Sequence, residues 1–485
     1  MARSILQVFS LAGVTLLLAS CTSLQQLRPS TSARDLPESD LPATFTAESA
    51  TVALPTRWWE VFESNELNAL MDEAFTGNLN LAGAWTRLRQ ARAQADITRS
   101  EGRFQLTGSG SAGKTKNRSN ASGSYETDST NSFSAGLTLA YEVDLWGRIK
   151  ASSAAATLSV LATAQDVENT ALLLSAQVAD VWVQLAAVRT ELEVLAQQRE
   201  TSEKSLDLLY TRQRKALSTA LDVLQQQQLV AGLDTTVSTL KEGEAALQLQ
   251  LDYLLGRPPV KTATSAALPE LPPLPSTGLP ADLLWQRPDI QAAWLRLRSQ
   301  ESSVTSARAA RLPALNLTGS ATLSSEKLSE LIDNWALNLL AGVTAPILDG
   351  GRLKADVVRN EALADERFLD YRDSVLTACY EVEEALVREH WQTEHLDGLK
   401  AELVLAEKTV DEAQRRYLKG LVDYLTVLTA QASQQQAERE IVTARADLLA
   451  NRITLCSALG GSWMSELAEP SLEMSVSRGD RRRRR

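Results

Sequence analysis

The stretch Phe133-Ser134-Ala135-Gly136-Leu137-Thr138-Leu139-Ala140-Tyr141-Glu142-Val143 decides how this chain is built. Phe133, Ala135, Leu137, Leu139, Tyr141 and Val143 fall on one side of a period of two, and Ser134, Gly136, Thr138, Ala140 and Glu142 on the other. That period belongs to a strand with one apolar face. A second copy reads Trp335, Leu337, Leu339, Ala341 and Val343 against Ala336, Asn338, Leu340, Gly342 and Thr344. Shorter partners precede each: Phe104 and Leu106 with Gly108 and Gly110, then Leu315, Leu317, Gly319, Ala321 and Leu323. About ten residues with one apolar face is what a tilted strand needs to cross an outer membrane. A soluble hairpin packed on helices has the same pattern. The run Trp335 to Leu348 also resembles a spanning helix, but it is short, partly alternating and interrupted by Pro346.

Outward from the strands the chain repeats itself at a separation of 204 residues. Gly147-Arg148 matches Gly351-Arg352, and Ala216-Leu217 matches Gly420-Leu421. Leu221, Val223, Leu224 and Gln227 match Leu425, Val427, Leu428 and Gln431, and Leu255-Gly256 matches Leu459-Gly460. Trp85 to Arg89 matches Trp294 to Arg298, five residues out of that register. Each copy, 55–255 and 289–463, reads helix, two strands, long helix, turn, helix, with strands expected near 104–113, 132–144, 315–324 and 334–345. Between them, 256–288 holds eight of the 15 prolines and reads as a linker. Proline is absent from Lys150 to Arg257 and from Ile347 to Ala468. There Ala171, Leu174, Val178, Val181, Leu185, Val188, Leu192 and Leu195 form a heptad seam. Val375, Ala378, Val382 and Ala385 repeat it, Glu389 and Gln392 interrupt it, and Leu396, Leu399 and Leu403 resume. A helix from Leu353 to Leu418 spans roughly 100 Å, which suits a rod or tube and not a compact core.

Two copies supply four strands. Four strands cannot close a barrel, and an open edge in lipid leaves backbone groups unsatisfied at several kcal/mol each. The barrel must therefore be shared. Two chains give eight strands around a filled interior, and three give twelve with room for a pore. The expected fold class is mainly α with a membrane β-barrel: an α-helical tube and a shared barrel, four strands per chain, with an internal two-fold repeat.

The ends carry other information. Residues 1–20 hold one charge, Arg3, and an apolar stretch from Leu11 to Ala19, the layout of a secretory signal. Leu18-Ala19-Ser20-Cys21 offers a cleavage site followed by a thiol for lipid attachment at Cys21. Residues 21–54, rich in Ser, Thr and Pro, read as a lipidated tether, and 464–485 as a tail ending in Arg481 to Arg485. The 49 basic and 60 acidic residues give a net charge of −11. Without Arg3 and the five terminal arginines the balance is about −17, which disfavours nucleic acid as a partner. With 2 His and 3 Cys there is little material for a metal site or disulfide scaffold. His390 and His395 face different sides of a helix. Cys379 and Cys456 stand at heights that antiparallel helices would bring close, as two free thiols or as a disulfide. Gly108-Ser109-Gly110-Ser111-Ala112-Gly113 fits a dinucleotide motif literally, but no helix start follows, so Lys114 to Asn131 is expected as an extracellular loop. No catalytic constellation appears.

This architecture resembles the TolC-type outer-membrane efflux factors, and is most similar to their NodT-like and OprM-like lipoprotein subgroup. The resemblance covers about Pro55 to Trp463. It rests on Trp58-Trp59, Leu283-Leu284-Trp285-Gln286-Arg287-Pro288-Asp289-Ile290, Asp144-Leu145-Trp146-Gly147-Arg148, and Arg416-Tyr417 with Gly420 and Leu425-Thr426-Val427-Leu428. It implies a homotrimer with a twelve-stranded barrel in the outer membrane and a helical tube in the periplasm. It implies a periplasmic adaptor and an inner-membrane RND transporter as partners, and export of drugs or other small toxic compounds. No cofactor is implied beyond a covalent lipid on Cys21. It also implies a periplasmic aperture at the two helix turns, which places Asp222 in the first copy and Arg416, Tyr417, Asp423, Tyr424, Thr426 and Thr429 in the second. Thr426 and Thr429 stand where the family often has aspartates. A hydroxyl ring selects cations less than a carboxylate ring, which leaves Asp222 as the acidic contribution. A type I protein-secretion duct is the alternative within the same architecture, and a non-channel coiled-coil envelope lipoprotein the alternative outside it.

Overall fold

The computed structural model describes residues 44–45, 55–121, 124–259, 267–277, 280–461, 463–467 and 469. Cys21, most of the tether and the arginine tail lie outside these residues. The elements run α1 (Asn65–Gly77), α2 (Leu79–Ser100), β1 (Gln105–Ala121), β2 (Ser124–Val143), α3 (Arg148–Arg214) and α4 (Ala220–Leu254) in the first copy. The second copy has α5 (Leu283–Gln286), α6 (Pro288–Ala309), β3 (Ala314–Ser325), β4 (Trp335–Thr344), α7 (Arg352–Leu418) and α8 (Tyr424–Leu459). The described residues form two compact units, one of residues 87–164 and 292–373, the other of 44–86, 165–291 and 374–469. Helices α2, α3, α6 and α7 each contribute to both.

The first unit holds one antiparallel sheet in the order β1-β2-β3-β4. Its register sorts the side chains cleanly. Gly110, Ala135, Leu323 and Trp335 share a row, as do Gly108, Leu137, Ala321 and Leu337, and Leu106, Leu139, Gly319 and Leu339. Ser109, Gly136, Thr322 and Ala336 lie between these rows, on the opposite face. Leu339 is 89% exposed and Leu337 69%, so the apolar face has no cover among the described residues. The outer edges of β1 and β4 have no strand partner among the described residues.

Two differences from the expected strands are informative. β1 and β2 stay paired from Gln105↔Ala140 out to Ala121↔Ser124, so Lys114 to Asn131 is a strand hairpin and not a loop. The cross-strand ladder continues past the last apolar row, where both faces are polar and alternation carries no signal. The glycine-rich Gly108 to Gly113 lies inside β1. The proline-rich linker also contains a helical turn, α5, between Pro280 and Pro288.

Each strand pair leaves the sheet through a glycine in the left-handed region, Gly147 (φ 75°) and Gly351 (φ 85°). Asp144 then accepts from the amides of Ile149 and Lys150 at 3.2 and 2.7 Å, and Asp349 from those of Gly351 and Leu353 at 3.0 and 2.9 Å. These carboxylates satisfy free amides at the starts of α3 and α7. Trp146 Nε1 donates to the Pro313 carbonyl at 2.7 Å, tying one exit to the next strand.

In the second unit the seam of α3 is buried, with Ala171, Leu174, Val178, Val181, Leu185 and Leu195 at most 4% exposed. Trp58 and Trp59, just before α1, are buried. Trp58 Nε1 donates to Ser175 Oγ of α3 at 3.0 Å, and Trp59 meets Trp463 edge to face at 4.7 Å, so the segment before α1 packs against the segment after α8. Where Glu389 interrupts the α7 seam, it is buried against Arg452 of α8, whose Nη2 donates to Glu389 Oε1. Asn451 Nδ2 reaches the other carboxylate oxygen at 3.2 Å, and Arg452 Nη1 donates to the Pro272 carbonyl at 2.6 Å. Cys379 and Cys456 are separate thiols. Burial pushes the Cys456 thiol up to about 12.

Candidate functional site

The 204-residue repeat is a repeat of contacts. At the end of α3, Leu217 N donates to Arg212 O and Ala216 N to Gln213 O, both at 2.9 Å. At the end of α7, Leu421 N donates to Arg416 O and Gly420 N to Tyr417 O, both at 3.0 Å. Both helices close through a left-handed residue, Ala216 (φ 57°) and Gly420 (φ 71°). The following caps exchange their chemistry. Thr219 caps α4, its hydroxyl accepting from Asp222 N at 3.2 Å while Asp222 Oδ2 accepts from Thr219 N at 2.9 Å. Asp423 caps α8, its Oδ1 accepting from Thr426 N at 3.1 Å and Thr426 Oγ1 at 2.8 Å. The hydroxyl and carboxylate have changed places between copies.

These bonds place the expected aperture residues. Asp222 and Asp423 are first of all helix caps at the surface of the two turns. The bonds from Thr426 hold the Asp423 carboxyl below the usual carboxylate range. Asp423, Thr426 and Thr429 line one cleft of about 680 Å³ between α7 and α8, beside Leu405, Thr409 and Leu425. Tyr417 and Tyr424 meet edge to face at 5.3 Å over a core of Leu209, Val223, Val410 and Val427. Arg416 stands apart from that core, exposed, with its Nε on Glu412 at 2.8 Å.

Two groups not expected from the sequence complete the site. Arg212 lies over the Tyr417 ring at 4.9 Å. Tyr424 also begins a buried polar ladder. Its hydroxyl donates to Gln226 Oε1 at 2.7 Å, and Gln226 Nε2 to the Ser202 carbonyl at 2.8 Å. Ser202 Oγ accepts from Gln435 Nε2 at 3.1 Å, and Gln198 Nε2 donates to the Gln435 carbonyl at 2.9 Å. Arg439 Nη1 closes the run on Gln198 Oε1 at 2.7 Å. The ladder stitches α3 and α4 of the first copy to α8 of the second. Burial pushes the Tyr424 hydroxyl well above its ordinary value, so it remains a donor at neutral pH.

At the other end of these helices the same kind of socket occurs once in each half of the chain. Asn78 Nδ2 donates to the Leu254 carbonyl at 2.7 Å, and Arg287 Nη1 to the Ala458 carbonyl at 3.0 Å. Those carbonyls are 204 residues apart. Arg287 also holds Asp289 and Glu381, and their charges outweigh the cost of its burial and raise its pKa. Gly256 and Gly460, both left-handed, press against the Gly77 and Gln286 carbonyls, where any side chain would clash.

The profile of the family described as outer membrane efflux protein matches residues 70–257 and 279–461, one span per copy. The chain belongs to the outer membrane efflux protein family. It is 33% identical over 437 residues to the pyoverdine export outer membrane protein OpmQ of Pseudomonas putida, covering 87% of this chain and 91% of that one. It is 28% identical to the cation efflux system protein CusC of Escherichia coli, over 84% of this chain and 88% of that protein. Its fold is that of the outer-membrane channel OprN, with a TM-score of 0.81 and 24% identity over 89% of this chain and all of that one.

As an outer membrane efflux protein the chain is a conduit and not an enzyme. The sheet is its part of a shared membrane barrel, and the long helices are its part of the periplasmic tube. What sequence reading missed in this efflux protein is the ladder. Its signals were the runs Gln225 to Gln228 and Gln434 to Gln436, where a heptad core would place leucines.

Proposed function

We propose that three copies close a twelve-stranded barrel and form the exit duct of a tripartite pump, fed by an inner-membrane RND-type transporter through a periplasmic adaptor. The observation that supports this reading is the four-stranded sheet with a bare apolar face, a polar face and two unpaired edges. Such a sheet satisfies its backbone in lipid only within a closed ring. Detergent-extracted protein should migrate in gels as a heat-sensitive trimer and conduct in planar bilayers. A monomer unaffected by heating and without conductance would refute it.

Cys21 carries the lipid in this reading, supported by the Leu18-Ala19-Ser20-Cys21 sequence. Labelled palmitate should enter the wild-type chain and not Cys21→Ser. The cargo class is small toxic molecules, and the transporter chooses among them. The related proteins are named for exporting pyoverdine in one case and cations in another.

The two turns form the periplasmic aperture. Thr426 and Thr429 line its second-copy cleft with hydroxyls, and Asp222 remains as the acidic group of the first copy. Asp222→Asn should lower cation selectivity in single-channel recordings, and unchanged selectivity would remove Asp222 from the aperture.

A further inference from the structure

We infer that the projecting part of the β1–β2 hairpin binds phosphate groups of outer-leaflet lipid through Lys114, Lys116 and Arg118. This rests on the outer-membrane placement of the sheet. β3 pairs with β2 only as far as Phe133↔Ser325, whereas β1 and β2 continue together to Ala121↔Ser124. The hairpin therefore rises beyond the four-stranded sheet, at the end away from the strand exits to α3 and α7.

Register decides which way its charges face. In β1 the even-numbered residues belong to the apolar face, since Leu106 pairs with Leu139, Gly108 with Leu137 and Ala112 with Phe133. Lys114, Lys116 and Arg118 continue that row, paired with Asn131, Ser129 and Thr127. All three cations are exposed. Tyr125 lies on the same face, and the Arg118 guanidinium stacks over its ring at 4.3 Å. Asp128 pairs with Asn117 and so lies on the opposite face. The hairpin thus turns three cations toward the lipid side and an acid toward the other.

The heights fit a headgroup. At about 3.4 Å per residue, Lys114, Lys116 and Arg118 lie roughly 7, 14 and 20 Å along the strand from Ala112. A tilt of about 40° reduces these to roughly 5, 10 and 15 Å above the apolar band. The polar layer on each side of a bilayer is about 5–8 Å thick, so Lys114 lies within it and Lys116 and Arg118 reach down to it with long side chains. Basic residues at an anionic membrane surface attract phosphate headgroups, and each is worth a factor of about five in affinity. A stiff two-stranded hairpin presents the row without ordering a loop, which favours repeated phosphates on a lipid surface over a soluble anion.

The test uses the full-length protein in detergent and native mass spectrometry, with bisphosphorylated lipid A as probe. The wild type should retain this lipid, and Lys114→Gln/Lys116→Gln/Arg118→Gln should retain it on the order of a hundredfold less. The charge-preserving Lys114→Arg/Lys116→Arg/Arg118→Lys should bind like wild type, and Asp128→Asn should lose nothing. Dephosphorylated lipid A should not distinguish wild type from the triple glutamine variant. Equal retention of the phosphorylated lipid by that variant would overturn the proposal, as would complete displacement by millimolar inorganic phosphate. Heat-sensitive migration and conductance, measured on the same variants, should be unchanged. Their loss in the wild type would instead refute the channel reading.

Discussion

Leu185 and Glu389 occupy the same place in the two copies, 204 residues apart on α3 and α7. Leu185 is 1% exposed in an unbroken apolar seam. Glu389 is equally central but charged, and it is held by Arg452 and Asn451 of α8. Arg452 stands where the first copy has Gln248. The comparison shows that the duplication preserves backbone placement, while each copy fills it with its own chemistry. The second copy gains an attachment in return, because Arg452 also binds the linker carbonyl of Pro272.

The largest effect should come from breaking that ion pair on one side. Glu389→Leu imitates the first copy but strands a buried guanidinium, and should cost about 3–5 kcal/mol. Adding Arg452→Gln completes the imitation and should recover most of the loss. Chemical unfolding in detergent measures both. A double variant as unstable as the single one would mean that Pro272 anchoring, and not charge burial, dominates.

The turn residues allow a finer comparison. Gly420 and Ala216 share the left-handed conformation, and nothing lies near a Cβ added at Gly420. Gly420→Ala should therefore cost about 1 kcal/mol, backbone strain lessened by the smaller freedom of alanine in the unfolded chain. Ala216→Gly should gain a similar amount, because the same two effects are reversed. Shifts in unfolding midpoint that are not nearly equal and opposite would show that contacts at one turn, and not the shared backbone conformation, set the effect.

The two tyrosines at the turn give a third contrast. Tyr424→Phe leaves Gln226 Oε1 buried without its donor and should cost about 1–2 kcal/mol. Among the described residues the buried Tyr417 hydroxyl has no hydrogen-bond partner, so Tyr417→Phe should change stability by roughly zero. A comparable loss in both would place a bound water on Tyr417.

What could be read from the sequence follows the same division. The apolar rows of β2 and β4, the turns at Ala216 and Gly420 and the 204-residue spacing were legible, because each depends on residues close in sequence or on an unmistakable period. The upper half of the β1–β2 hairpin was not, because two solvated faces erase alternation. Glu389 could be seen as an interruption, but its partner lies 63 residues on, on another helix. The polar ladder was hidden for the same reason: a glutamine on a helix face reads as surface until the facing helix is placed. At the aperture, the sequence marked Asp222 and Asp423 as carboxylates at a constriction. Their capping roles emerge only with the backbone amides of Thr219 and Thr426 in place.

The unpaired edges of β1 and β4 have a genetic consequence. A ring built head to tail accepts a subunit through one edge and passes on the other. A chain with proline introduced along β1 but an intact β4 would still enter a ring and then prevent its closure. Co-expressed with the wild type, such an allele should be dominant-negative, because one defective member spoils the whole ring. An allele damaged at both edges should be recessive, since it never enters a ring.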